Sequence, residues 1–139
     1  MKQKVLFLCT GNSCRSQMAE GWLRHLAGDR FEAVSAGTHP VGLNPNAVTV
    51  MGEVGVDISN HVSERVDPYV EQRFDYVITV CDHAQEACPV FPGASAKLHW
   101  NFDDPAKAAG TYEQQLIVFR KTRDEIEDRI RQFLATGGA

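Results

Sequence analysis

Short apolar runs alternate along the chain with stretches whose apolar residues recur at helical spacing. Lys4 to Cys9 holds the run Val5-Leu6-Phe7-Leu8 and reads as a strand buried on both faces. From Ser16 to Ala27, Met18, Ala19, Trp22, Leu23 and Leu26 share one helix face, and Gly28 marks the stop. Phe31 to Ala36 reads as a second strand. Asn44-Pro45 pairs an N-cap with a proline at the first helical position, opening a helix expected to turn Ala47, Val48, Met51 and Val54 inward. Asp67 to Arg73 fits a short helix. Asp75 to Cys81, nearly all apolar and β-branched, predicts a third strand, and Ala96 to Trp100 a weaker fourth. Thr111-x-x-Gln114 has the form of a capping box. It opens a long helix whose Leu116, Phe119, Ile126, Ile130 and Phe133 can face a core.

Strands alternating with helices predict an α/β fold, a small doubly wound parallel sheet with helices on both faces. Ligands in such folds bind beyond the carboxyl ends of the strands, where the winding reverses. Cys9 ends the first predicted strand and Cys81 the third, so both belong to the same sheet edge. In a flavodoxin-like strand order the first and third strands are neighbours, and the two thiols then lie close together.

Composition narrows the class. The 139 residues fit one domain over 1–139, with 43% hydrophobic and 23% charged residues. A net charge of −4 argues against a nucleic-acid partner. The apolar run near the start is too short for a signal peptide, and nothing approaches the length of a membrane span. A cytoplasmic monomer is expected. Four cysteines in that compartment read as reduced, catalytic or metal-binding rather than as structural disulfides.

The candidate chemistry lies in "VLFLCTGNSCRS", residues 5–16. A strand feeds a turn of Thr10, Gly11, Asn12, Ser13 and Cys14, and the turn feeds a helix. Gly11 and Asn12 tolerate left-handed backbone angles, so the amides can converge on one centre at the positive end of the helix. Arg15 adds a planar two-pronged donor for a tetrahedral oxyanion. At the base of this positive field Cys9 is expected as a thiolate aimed at the central atom of the guest. Ser16 is placed to hydrogen-bond the Cys9 sulfur. The plain alternative is an inert strand-end cysteine beside a loop arginine. The strand–turn–helix setting favours chemistry.

"CTGNSCRSQMAEGW" resembles the phosphate-binding loop of the low-molecular-weight protein tyrosine phosphatases, and more closely that of the thioredoxin-coupled arsenate reductases on the same fold. The resemblance runs on through "SAGTHPVGLNPNAV", "VDISNHVSE", "VITVCDHAQEACPVFPG", "HWNFDDPA" and "RDEIEDRI" and covers nearly the whole chain. It implies a four-stranded parallel sheet and two-electron reduction of arsenate to arsenite, with phosphate or sulfate as competing oxyanions. It also implies roles for the thiols: Cys9 as nucleophile, then a Cys9–Cys81 disulfide, then a Cys81–Cys88 disulfide reduced by thioredoxin. Asp82 can cap a helix between Cys81 and Cys88. Seven residues of helix rise about 10.5 Å, beyond the roughly 7 Å between α-carbons that a disulfide tolerates, so that segment must unwind to form the bond.

Other readings stay open. Cys81 and Cys88 are also consistent with inert packing, and Cys81, His83 and Cys88 with a zinc site lacking its fourth ligand. Cys14 reads as a packing residue. A phosphatase would need only Cys9, Arg15 and Asp104, and weak phosphatase activity is compatible with a reductase because the loop serves both. A non-enzymatic oxyanion or redox sensor would bind without turnover.

In "NFDDPA" the resemblance makes Asp104, held extended before Pro105, the general acid, and leaves Asp103 as a solvated carboxylate. Ala106 and Lys107 follow where the phosphatases carry tyrosines, which leaves room for a bare oxyanion. The resemblance implies no organic cofactor. Some members hold a potassium ion beside the loop; Asn12, Glu20 and Ser35 match that site, and Glu64 stands where an aspartate is expected. His25, His39, His61 and His99 carry no motif. The charges of "RKTRDEIEDRIR" read as a solvated helix face.

Overall fold

The structure is a computed structural model and describes residues 2–81 and 91–136. Its elements are β1 (Gln3–Cys9), α1 (Arg15–Ala27), β2 (Phe31–Gly37), α2 (Pro45–Glu53), β3 (Phe74–Thr79), β4 (Ala94–His99) and α3 (Tyr112–Ala135). Single 3-10 turns cover Asp67–Tyr69 and Pro105–Lys107. The four strands form one parallel sheet in the order β2-β1-β3-β4. This is the doubly wound arrangement expected from the alternation, with the first and third strands adjacent.

β1 lies inside the sheet, and its composition explains why. Successive side chains of a strand point to opposite faces. Val5, Leu6, Phe7 and Leu8 have no exposure, so both faces of the sheet are covered at β1. β4 is an edge strand and alternates exposed with half-buried positions. Phe133 near the end of α3 packs against Phe31, Tyr76 and Trp100, which ties α3 across β2, β3 and the residue after β4. Among the described residues no helix is long and apolar enough to cross a membrane.

Several boundaries differ from the sequence expectation. β3 begins at Phe74 and ends at Thr79, two residues short of Cys81. The carboxyl end of the strand thereby releases Cys81 from the ladder and frees its side chain to turn toward the loop. β4 begins at Ala94 and ends at His99. The helix expected over Asp67 to Arg73 is a single 3-10 turn, because the chain must extend by Phe74, whose N–H donates to Gly93 O. Val54 lies past the end of α2 with φ −107°, out of helical phase, and is 38% exposed; Val50 fills the core in its place. Asn44 caps α2 through Asn46 N, and the Thr111–Gln114 capping box is present at α3. Arg123, expected on a solvated face, is buried. Its guanidinium donates to Val50 O and Glu53 Oε1, while its carbonyl accepts from Trp22 Nε1, so it locks α1, α2 and α3 together.

Candidate active site

The loop from Thr10 to Cys14 leaves the carboxyl end of β1 and enters α1. Asn12 is its pivot. It is the one non-glycine residue with positive φ among those described, at 46°, and it is fully buried. Asparagine pays little for this conformation, and its amide is used from both ends. Oδ1 accepts from Glu64 N at 2.8 Å and from Gln17 Nε2 at 3.2 Å, and Nδ2 donates to Ser16 Oγ at 2.9 Å and Ser35 Oγ at 3.0 Å. Of the two residues able to take the left-handed conformation, Asn12 takes it and Gly11 does not. Its lack of a side chain matters for space, since a β-carbon there would lie 3.0 Å from Val41 Cγ2. The amides of Gly11, Asn12, Ser13 and Cys14 have no acceptor among the described residues, as in a backbone nest that receives an anion.

Arg15 closes the nest. Its Nη1 donates to Phe102 O at 3.0 Å and its Nη2 lies 3.7 Å from Asp104 Oδ2, while Nε is buried without a partner among the described residues. A buried guanidinium nitrogen held in place and unsatisfied is a donor for a ligand oxygen. Asp104 is fixed by Pro105 in extended geometry, and its Oδ1 caps the following turn by accepting from Ala106 N.

Beneath the loop the two sulfurs meet. Cys9 Sγ donates to Cys81 Sγ at 3.6 Å, and both residues are buried. Thr10 Oγ1 lies 3.4 Å from Cys81 Sγ. The contact with Cys81 and burial push the Cys9 thiol up, against the lowering pull of Arg15 and the Thr10 amide. Two thiols in contact titrate as a pair, so the thiolate expected at Cys9 is opposed by its neighbour and by burial and favoured by Arg15. Burial also pushes the Cys14 thiol up to about 11, which keeps it protonated and suits a packing role. Ser16 Oγ is turned to Asn12 and makes no hydrogen bond with Cys9, another departure from expectation. Cys88, the Asp82-capped helix and His83 of the zinc reading lie outside the described residues.

Sequence reasoning missed three supports of the loop. Gly37, paired with Cys9 across β1 and β2, permits close backbone approach: a β-carbon there would lie 2.6 Å from Thr10 O. The segment 63–66 straps the loop from outside through Ser63 Oγ to Gly11 O and through Glu64 N to Asn12, and is itself bonded to Gly37. Fully buried Gln17 donates to Asn12 O and Val62 O and takes His61 Nδ1 on its own Oε1. A polar residue beside the apolar stripe of α1 was the available signal for Gln17. The strap has no local signature.

The residues matched to a potassium site do come together, but their oxygens face protein donors. Glu20 accepts from Ser35 Oγ at 2.7 Å and pairs with Arg24 Nη2 at 2.8 Å. Asn12 Oδ1 already holds two N–H donors, and Glu64 Oε2 accepts from the Tyr69 hydroxyl. Arg24 supplies the counter-charge of Glu20 here.

Residues 4–137 match the model of the low molecular weight phosphotyrosine protein phosphatases, and the chain belongs to that family. Several of the relatives it resembles are named arsenate reductases. The arsenate reductase of Halalkalibacterium halodurans is 52% identical over 136 residues, 98% of each chain. A solved arsenate reductase in its phosphate-binding state superimposes with a TM-score of 0.83 at 32% identity, covering 96% of this chain and 98% of that one. A thioredoxin-dependent arsenate reductase of Corynebacterium glutamicum gives a TM-score of 0.70 at 29% identity, covering 97% of this chain and 61% of that one.

Proposed function

We propose that this protein reduces arsenate to arsenite by a three-thiol relay that thioredoxin regenerates. The observation that carries the reading is the 3.6 Å contact between the Cys9 and Cys81 sulfurs at the foot of an anion-binding loop. A phosphatase needs one sulfur there. A reductase needs a second sulfur within reach of the first.

The oxyanion docks on the loop amides and Arg15. Cys9 sulfur bonds to arsenic as an arsenic–oxygen bond breaks, and Asp104 supplies the proton that lets the oxygen leave as water. Cys81 then attacks Cys9 Sγ. The sulfur–sulfur bond forms, the sulfur–arsenic bond breaks, and its electron pair stays on arsenic, which departs as arsenite. Cys88 attacks Cys81, freeing Cys9, and thioredoxin reduces the Cys81–Cys88 bond by the same exchange. One proton of the paired thiols passes to a basic oxygen of the bound dianion, leaving a Cys9 thiolate under a singly charged guest; Thr10 Oγ1, in contact with Cys81, lies beside that transfer. The similarity to named arsenate reductases supports the substrate, and the thioredoxin-dependent neighbour supports the electron donor.

A coupled assay of arsenate with thioredoxin, its reductase and NADPH tests the proposal. Steady NADPH oxidation is expected. Cys88→Ser should release one arsenite per enzyme and then stop, and sustained turnover by that variant would refute the relay. Fast hydrolysis of aryl phosphates indifferent to loss of Cys81 would instead establish a phosphatase, and tight oxyanion binding without product a sensor.

A further inference from the structure

Two cavities meet at the Arg15–Asp104 pair. One, of about 200 Å³, is lined by Cys9, Ser13, Cys14, Val41 and Ala106, and suits a four-oxygen anion on the loop. The other, of about 670 Å³, opens beside Cys81 and includes Asn101, Asp103 and Lys107 in its wall; Thr10, Arg15 and Asp104 border both. The leaving group of any ester bound on the loop must pass the acid Asp104 and enter the larger space. That space is far bigger than a bare oxyanion needs. Size therefore does not separate a bare oxyanion from an aryl ester, and any discrimination between them rests on the chemistry of the wall.

We propose that Lys107 is the specificity-determining residue of this site, setting a preference for a bare tetrahedral dianion over its aryl ester. This rests on the oxyanion-binding reading of the loop. Lys107 closes the turn that Asp104 caps, and its N–H donates to Asp104 O at 3.2 Å, so its place is tied to the acid. The charged residues described in this wall are Arg15, Lys107, Asp103 and Asp104. Arg15 is engaged with Phe102 O and Asp104, whereas the exposed ammonium of Lys107 makes no ion pair among the described residues. Without Lys107 the wall has one cation, Arg15, against Asp103 and the acid Asp104, on a chain whose net charge is −4. A bare dianion gains the full attraction of this ammonium. An aryl ester of the same anion must place its ring in the cavity that Lys107 lines and strip water from that exposed side chain, which offsets the gain.

The test measures two quantities in wild type, Lys107→Met and Lys107→Arg: the Kd of inorganic phosphate by calorimetry and kcat/KM for 4-nitrophenyl phosphate. Lys107→Met should weaken phosphate about five- to tenfold at 20 mM salt and less than about twofold at 0.5 M, where the Debye length is only a few ångströms. Lys107→Arg should restore the affinity, and the ester's kcat/KM should stay within about twofold throughout. An equal loss on phosphate and ester, a loss independent of salt, or no loss would overturn the proposal. Phosphate binding is read without turnover, so failure of arsenate reduction in the coupled assay would remove the functional reading and leave this result legible.

Discussion

Gly37 and Thr10 approach so closely that the backbone of β2 forms part of the loop's floor: a β-carbon on Gly37 would lie 2.6 Å from Thr10 O and 2.9 Å from Asn12 N. Both neighbours are main chain and cannot rotate away. Gly37→Ala should therefore deform the nest, raising the Kd of inorganic phosphate about tenfold or more and costing about 1–3 kcal/mol of stability. Calorimetric titration with phosphate beside a urea melt checks it. Unchanged affinity would show that the loop does not depend on this contact.

Contact with Cys81 is the largest influence holding the Cys9 thiol up. Cys81→Ala should lower the apparent pKa of Cys9 by about one unit or more, giving about tenfold more thiolate at a fixed pH below it. The pH dependence of iodoacetamide alkylation, followed at Cys9 by mass spectrometry, measures this. A value that stayed the same or rose would mean that the sulfur pair does not control nucleophile ionisation.

His61 is held down from its ordinary value, chiefly by burial; Glu20 and Asp57 pull it up and Arg24 pushes it down. In its neutral form Nδ1–H donates to Gln17 Oε1 at 3.0 Å and Nε2 accepts from Arg24 Nη1 at 3.2 Å. The unfolded chain takes a proton on His61 near pH 6.5, where the folded chain does not. Stability from this group is thus present above that pH and is lost as pH falls toward the lower folded value. Urea midpoints between pH 7 and pH 5 should drop more for wild type than for His61→Gln. Parallel profiles would remove His61 from the account.

Arg123 joins three helices from a buried position. Arg123→Met leaves Val50 O without its donor and should cost about 2–3 kcal/mol, lowering Tm by about 7–10 °C for a chain of this size. Glu53→Gln, at a partly exposed position, should cost much less. Differential scanning calorimetry of the two variants decides between a buried keystone and a surface charge.

The parts of this molecule readable in advance are those encoded locally. The apolar run of β1, the Asn44-Pro45 start of α2 and the Thr111–Gln114 box each specify structure within a few residues, and each stands where expected. The Gly-Asn turn before Arg15 likewise marked the loop, and strand alternation brought residues 9 and 81 to one edge. What escaped depends on distant partners. Nothing near Arg123 announces that Val50 and Glu53 will receive it, so its charge pattern reads as surface. Ser16 seemed a partner for Cys9, but Asn12 reaches its hydroxyl first. The pairing of Glu20 with Arg24, one helical turn on, is likewise not marked by any motif.

Cys9 and Cys81 are separated by 72 positions along the chain. A covalent link between them would tether more than half of the polypeptide into one closed ring. Closing a ring of that size removes about 4 kcal/mol of conformational freedom from the unfolded chain. Each turnover would then pass through a species whose connectivity resists unraveling more than the reduced protein does. Under the proposed relay, melting temperature would gauge how far the oxidising equivalents have travelled, and a protease challenge during catalysis would sort the intermediates by their cross-links.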